Sequence, residues 1–206
     1  MRADVKYGAM ILAGGESSRM GYPKHWLLDR NGITFMESLV QTYKAAGCEQ
    51  IVVIVNGDSC HGKWAKYLDD ISSFVLVVEN TNVDKGRFYS VKLAVEHLTE
   101  LDFVYLQNVD NPLTNQDLLK LLMDNRLEEG LVIPTFKGKG GHPVLLSANI
   151  IKDLKQIKDN SLILRDVLNS YQRNYLPVPW EHVLVNINTP VAYTNYLEAK
   201  KGERVN

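Results

Sequence analysis

Residues 7–24 read YGAMILAGGESSRMGYPK, and this stretch decides the architecture. Tyr7 to Leu12 is an apolar run of strand length. It passes directly into Gly14, Gly15, Ser17, Ser18, Arg19 and then Lys24. A strand that is apolar throughout, rather than alternating, belongs to a sheet covered on both faces, as parallel sheets are. A glycine-containing loop just past the carboxyl end of such a strand lies where open α/β sheets bind ligands. Gly14 and Gly15 can take positive φ and let backbone N–H groups converge on an anion, with no Cβ in its way. Arg19 and Lys24 supply the charge that a triphosphate needs. The spacing matches neither the P-loop nor the dinucleotide G-x-G-x-x-G.

Outward from this stretch, buried-strand runs recur at Ile51 to Val55, Phe74 to Val78, Phe103 to Leu106 and Leu131 to Ile133. Between them lies Thr34 to Ala46, whose Met36, Leu39, Val40 and Tyr43 fall on one helical face, with Gly47 where a left-handed cap is expected. Trp64 to Leu68, Val91 to Leu98 and Gln116 to Met123 supply further helices. Strand and helix alternating at this rhythm predict right-handed crossovers and an α/β fold with a mainly parallel sheet. Beyond Phe136 the expectation is a flexible basic loop at Lys137 to Gly141, a short strand at Val144 to Leu146, and helices at Ala148 to Gln156 and Leu162 to Leu168. Late strands at Tyr175 to Val178 and Val183 to Ile187 follow, with a closing helix from Val191 to Lys200. No linker, repeat or low-complexity tract interrupts the chain, so residues 1–206 read as one domain.

A chain of 206 residues removes roughly 70% of its unfolded surface from water on folding, enough to need no metal or disulfide staple. Lys plus Arg number 23 against 24 for Asp plus Glu, a net charge of -1 that argues against duplex nucleic acid or an anionic membrane as partner. Cys48 and Cys60 cannot make a disulfide framework, no signal peptide is read at the N-terminus, and a cytoplasmic location is expected.

Two further segments carry chemistry. In YLQNVDNP (residues 105–112), Asp110 follows the end of a strand, where one carboxylate can hold Mg²⁺ that takes its other ligands from water and substrate phosphates. The competing role is a cap on the turn or on the helix near Thr114. In LVNINTP (residues 184–190), Asn186 and Asn188 alternate along an expected strand and share a face, so their amide oxygens can complete the metal shell. The competing role is a helix start, with Thr189 as cap and Pro190 at the first helical position.

These three segments, in this order on an alternating chain, resemble the MobA-like nucleotidyltransferases, which include the enzymes attaching GMP or CMP to the molybdenum cofactor's pterin phosphate. LAGGESSRMGYPK looks like the family's L-A-[AG]-G-x-S-x-R-M-G-x-x-K loop. Asn108 to Pro112 is similar to its D-x-P metal segment, Gly141-His-Pro143 to the G-H-P of the cytidylyl branch, and Asn186 to Pro190 to its N-x-N-T-P or D-x-D-T-P segment. Ala13-Gly14 resembles the guanylyl branch, so the base stays open between GTP and CTP. Departures are Gly86-Arg-Phe-Tyr-Ser90 in place of G-x-x-S-S-[LI], Val191 and Ala192 in place of an acidic pair, and Ser161 to Arg165, which lacks the glycine of D-x-G-x-R.

The resemblance implies a three-layer α/β/α Rossmann-like nucleotide-diphospho-sugar transferase fold with a mainly parallel mixed sheet. It implies Mg²⁺-dependent transfer of an NMP from an NTP to a phosphate-bearing small-molecule acceptor, with release of pyrophosphate, by a monomer or homodimer. Arg19, Lys24 and Asp110 are the implied catalytic residues. Nucleotide binding falls to Leu12, Ala13, Gly14, Gly15, Ser17, Arg19, Lys24, Asn80 and Ser90, acceptor binding to His142, and the metal to Asp110 with Asn188 and Asn186. The alternatives are a sugar-1-phosphate nucleotidyltransferase and a nucleotide-binding protein without turnover.

Overall fold

The apolar runs become strands of one sheet. A computed structural model describes residues 5–15, 17–57 and 75–199. Its strands are β1 (Tyr7–Leu12), β2 (Gln50–Asn56), β3 (Leu76–Asn80), β4 (Phe103–Asn108), β5 (Leu131–Phe136), β6 (Lys139–Gly140), β7 (Val144–Ser147) and β8 (Arg173–Pro177). Among the described residues the α-helices are α1 (Phe35–Ala45), α2 (Gly86–Glu96), α3 (Gln116–Asp124), α4 (Ala148–Gln156), α5 (Leu164–Leu168) and α6 (Pro190–Glu198). The sheet order is β3-β2-β1-β4-β7-β5-β6, with β8 beside β5. β1 pairs in parallel with β2 and β4, β2 with β3, and β5 with β8, whereas β7 runs antiparallel to both β4 and β5. This is the mainly parallel mixed sheet expected.

Period-two geometry explains why these strands are apolar on both sides. Ala9 and Ile11 of β1 join a core with Leu39 of α1 and Leu118 of α3, while Met10 and Leu12 join a second core with Val91 of α2 and Ile150 of α4. β2 and β4 divide in the same way, so three layers follow from the alternation. No helix among the described residues is long and apolar enough to cross a membrane.

Local signals set the boundaries of α1. Thr34 Oγ1 accepts from Glu37 N at 3.1 Å and Glu37 Oε2 accepts from Thr34 N at 2.8 Å, a reciprocal capping box. At the other end Gly47 has φ +91°, Gly47 N donates to Lys44 O, and Cys48 N donates to Tyr43 O, a Schellman cap. A Cβ on Gly47 would stand 2.9 Å from the Tyr7 hydroxyl, so both conformation and space select glycine there.

The structure departs from the sequence reading at several places. α2 begins at Gly86, five residues ahead of the expected Val91, because the polar first turn hides its helical face. β3 runs on through Glu79 and Asn80, held by its ladder to Val55 and Asn56 rather than by apolarity; Phe74 lies outside the described residues, as does the whole of Trp64 to Leu68. Lys137 to Gly141 is no open loop but mostly a hairpin, with Lys137 (φ 49°) and Gly138 (φ 76°) forming the two-residue left-handed turn that matches strand twist. Val183 to Ile187 is not a strand. Residues Glu181–Leu184 form a 3₁₀ turn, and Ile187 N donates to Asp110 O at 2.7 Å, so loop contacts satisfy this backbone instead of a ladder.

Candidate active site

β1 is the strand at which the chain reverses direction across the sheet: β2 and β3 lie to one side of it, β4 to the other. Such a switch point opens a crevice beyond the carboxyl ends of the strands. There a cleft of about 220 Å³ is lined by Leu12, Ala13, Gly14, Gly15, Ser17 and Lys24 from the first loop, by Ser90 of α2, and by Asp110 after β4. A second hollow of about 260 Å³ shares Gly15, Ser17 and Lys24 and adds Arg19 and Asn188. Most of the residues singled out in the sequence therefore surround one crevice.

The glycine loop achieves this differently from expectation. Neither Gly14 nor Gly15 is left-handed; Ser17 (φ 54°) and Gly21 (φ 68°) take that conformation. Ala13 N is spent on Ile54 O at 2.8 Å, which extends the sheet bonding by one residue, so among the described residues the unpaired loop amides begin at Gly14. A Cβ on Gly15 would meet no protein atom within 4 Å. Glycine at 15 thus keeps space open rather than relieving strain. The loop is braced by Ser17 Oγ, which accepts from Lys24 N and donates to Gly15 O, and by Asn56 Nδ2, which donates to Gly15 O.

Lys24 joins the loops. Its Nζ lies 2.6 Å from Asn188 Oδ1 and 3.5 Å from Asp110 Oδ2, with lysine and aspartate side chains each 16% exposed. Asp110 Oδ1 is buried and has no hydrogen-bond partner among the described residues. An orphaned carboxylate oxygen at the wall of a polar cleft is unfavourable in isolation and suits a cation. No group of three His, Cys, Asp or Glu among the described residues gathers to form a metal cage. One carboxylate with one nearby amide oxygen fits Mg²⁺, which keeps waters and takes phosphate oxygens, and does not fit a structural zinc site. Asn186 does not join them: it is exposed and donates to Leu184 O. Asp110 caps no helix, since Asn115 caps α3, whereas Thr189 does cap α6 with Pro190 at its first position.

A buried polar network that the sequence reading missed fixes the Asp110 turn. Gln107, fully buried, donates through Nε2 to Asn108 O and Asn111 O, both at 2.8 Å. Its Oε1 accepts from Tyr43 of α1 and from Thr114, so every group of the amide is used. Asn111, also fully buried, donates to Val183 O at 3.0 Å. The signal was present as a glutamine in an otherwise apolar strand, since a buried amide must find partners.

Asn80 is 1% exposed and does not line the cleft; its Nδ2 donates to Ser90 Oγ at 3.1 Å, so it acts by holding Ser90. His142 lines a larger neighbouring cavity, with Nε2 2.8 Å from Asn108 Nδ2. With that amide as donor, the ring proton sits on Nδ1. Burial, aided by the Arg87 charge and opposed by Asp110, pushes the His142 pKa down to about 4. Burial alone does the same for His25, next to Lys24. Both rings are neutral at pH 7. An unfolded chain takes up these protons near pH 6.5 whereas the folded one does not, so stability falls as pH drops below about 6.5, at roughly 1.4 kcal/mol per pH unit for each ring. Urea unfolding between pH 7 and pH 5 is expected to show this loss; a flat profile would contradict the neutral, enclosed state of both rings.

A family model described as the MobA-like NTP transferase domain matches residues 9–193. Among curated proteins, the molybdenum cofactor cytidylyltransferase of Escherichia coli K12 is 25% identical over 183 residues, covering 88% of this chain and 90% of that one. Among solved structures, Rv0371c from Mycobacterium tuberculosis H37Rv superposes with a TM-score of 0.75 at 22% identity, covering 94% of this chain and 98% of that one. Molybdopterin-guanine dinucleotide biosynthesis protein A from Archaeoglobus fulgidus gives a TM-score of 0.67 at 17% identity, covering 93% and 97%. The match of the family model across nearly the whole chain, on a sheet whose switch point gathers the glycine loop, Lys24 and Asp110, makes this chain a member of the MobA-like NTP transferase family.

Proposed function

We propose that this nucleotidyltransferase moves an NMP from CTP or GTP to a phosphorylated small molecule, with Mg²⁺ held by Asp110 and Asn188. The observation that carries the site assignment is the convergence of Lys24, Asp110 and Asn188 within hydrogen-bonding reach at the mouth of the glycine-loop cleft. In this reading, amides from Gly14 onward and Ser17 cradle the triphosphate, Arg19 meets its outer phosphates, and Lys24 meets the α-phosphate. A divalent cation bound there neutralises charge on the phosphate oxygens. Leu12 and Ser90, the latter held by Asn80, border the nucleoside, and His142 offers a neutral hydrogen-bonding group to the acceptor.

The acceptor's phosphate oxygen bonds to the α-phosphorus as the bond to the bridging oxygen breaks, and the electron pair departs on pyrophosphate. With a second pKa near 6, that phosphate is already largely dianionic at pH 7, so no general base is required. Positioning and charge stabilisation then account for the rate. The cytidylyltransferase relative and the guanine-dinucleotide neighbour support CTP and GTP as substrates and the molybdenum cofactor's phosphate as acceptor.

The test is thermal shift with each of the four NTPs, with and without Mg²⁺, followed by pyrophosphate release with pterin-phosphate and sugar-1-phosphate acceptors. Stabilisation by CTP or GTP that deepens with Mg²⁺ is expected. Turnover only with sugar phosphates would move the acceptor assignment, and no pyrophosphate release with any pair would leave a binding protein.

A further inference from the structure

We propose that Arg87 receives the acceptor's phosphate at the junction between the nucleotide cleft and the larger cavity beside it, an assignment that rests on the nucleotidyl-transfer reading above. The larger cavity encloses about 810 Å³, ample for a small molecule. Among the described residues only Gly86 and Arg87 line both this cavity and the nucleotide cleft. Gly86 has no side chain, so Arg87 alone can present a functional group to both spaces. The hollow containing Arg19 shares no residue with the larger cavity and three with the cleft, so each adjoins the nucleotide cleft through different residues. Separate spaces suit a displacement in which the leaving pyrophosphate and the incoming acceptor do not compete for one site.

Charge points the same way. The larger cavity carries Lys85, Arg87, Arg165 and Arg173 against the single carboxylate of Asp166, in a chain whose net charge is -1. Two of these cations are already engaged. Arg173 donates to Asn169 O and Tyr175 Oη, and Lys85 lies 4.8 Å over the Tyr89 ring. Among the described residues Arg87 and Arg165 make no ion pair or side-chain hydrogen bond and both are exposed, and of the two Arg87 alone also lines the nucleotide cleft. A planar guanidinium left unpaired at the entrance to a positive cavity is built for two-point contact with a phosphate. The remaining walls are largely apolar, including Phe88, Leu106, Ile133 and Leu164, and favour an acceptor with an apolar or planar body.

The experiment uses phenyl phosphate, a phosphate monoester on an apolar ring, titrated calorimetrically into the full chain holding Mg²⁺ and a non-hydrolysable α,β-methylene analogue of CTP or GTP. The wild type is expected to bind it, and Arg87→Met to weaken that binding by about tenfold or more, with analogue affinity and melting temperature unchanged. Arg87→Lys is expected to recover only part of the loss, because it keeps the charge and loses the fork. Phenyl phosphate affinity unchanged in Arg87→Met, or nucleotide affinity falling in parallel, would overturn the proposal. A wild type that binds an analogue and not phenyl phosphate defeats this proposal alone; one that binds neither analogue defeats the nucleotidyl-transfer reading as well.

Discussion

Replacing Lys24 by alanine is expected to lower kcat by roughly 10²–10⁴-fold while the fold is retained, the effect of removing a principal charge stabiliser from a transition state. The lysine is the one side chain lining both the cleft and the adjoining hollow whose ammonium touches oxygens from two other loops, at 2.6 Å and 3.5 Å. Those loops carry one full negative charge, on Asp110. Without the ammonium that carboxylate faces an incoming triphosphate uncompensated, so nucleotide KM is expected to rise together with the fall in kcat. Lys24→Arg should recover part of the binding and less of the turnover, because the guanidinium fork cannot occupy the position of a compact ammonium between Asn188 and Asp110. Steady-state kinetics with CTP and GTP check both parameters. Full activity in the alanine variant would remove Lys24 from the chemistry.

Asp110→Asn is expected to reduce kcat/KM on the order of 10²–10³-fold and to flatten the dependence of rate on Mg²⁺. Asparagine matches the shape of aspartate and keeps an oxygen for Lys24, so the substitution isolates charge from geometry. The buried Oδ1, without a hydrogen-bond partner among the described residues, is the atom whose character changes most. Its surroundings are stiff. Gln107 ties the turn to α1 through Tyr43, and Asn111 ties it to the 3₁₀ turn at Val183, so the loop should hold its course in the variant. A rate that follows Mg²⁺ with the wild-type midpoint and amplitude would show that Asp110 is no metal ligand.

The physical contrast between readable and unreadable parts of this chain runs along particular residues. β1, β2 and β4 were legible because burial on both faces demands unbroken apolar runs, and α1 because its amphipathic face and Gly47 mark its body and its end. The start of α2 was illegible because Gly86 to Ser90 serves two cavities rather than a continuous apolar stripe, and local pattern reports packing only. Val183 to Ile187 has the composition of a strand but among the described residues meets no strand to pair with; its backbone is used to hold Asn111, His142 and Asp110 instead.

Residue types and their order along the chain were enough to determine the layered sheet and the glycine loop beyond its first strand, and to single out Lys24 and Asp110 as the residues proposed for phosphate and metal. Tertiary structure alone decided that Asn188 and not Asn186 faces Lys24, that Asn80 holds Ser90, that Gln107 anchors the Asp110 turn, and that Arg87 lines two cavities. The division has one cause. Periodicity and turn chemistry act between residues close in sequence, whereas the distance between Lys24 and Asn188, 164 positions apart, is set by how the two sides of the sheet pack.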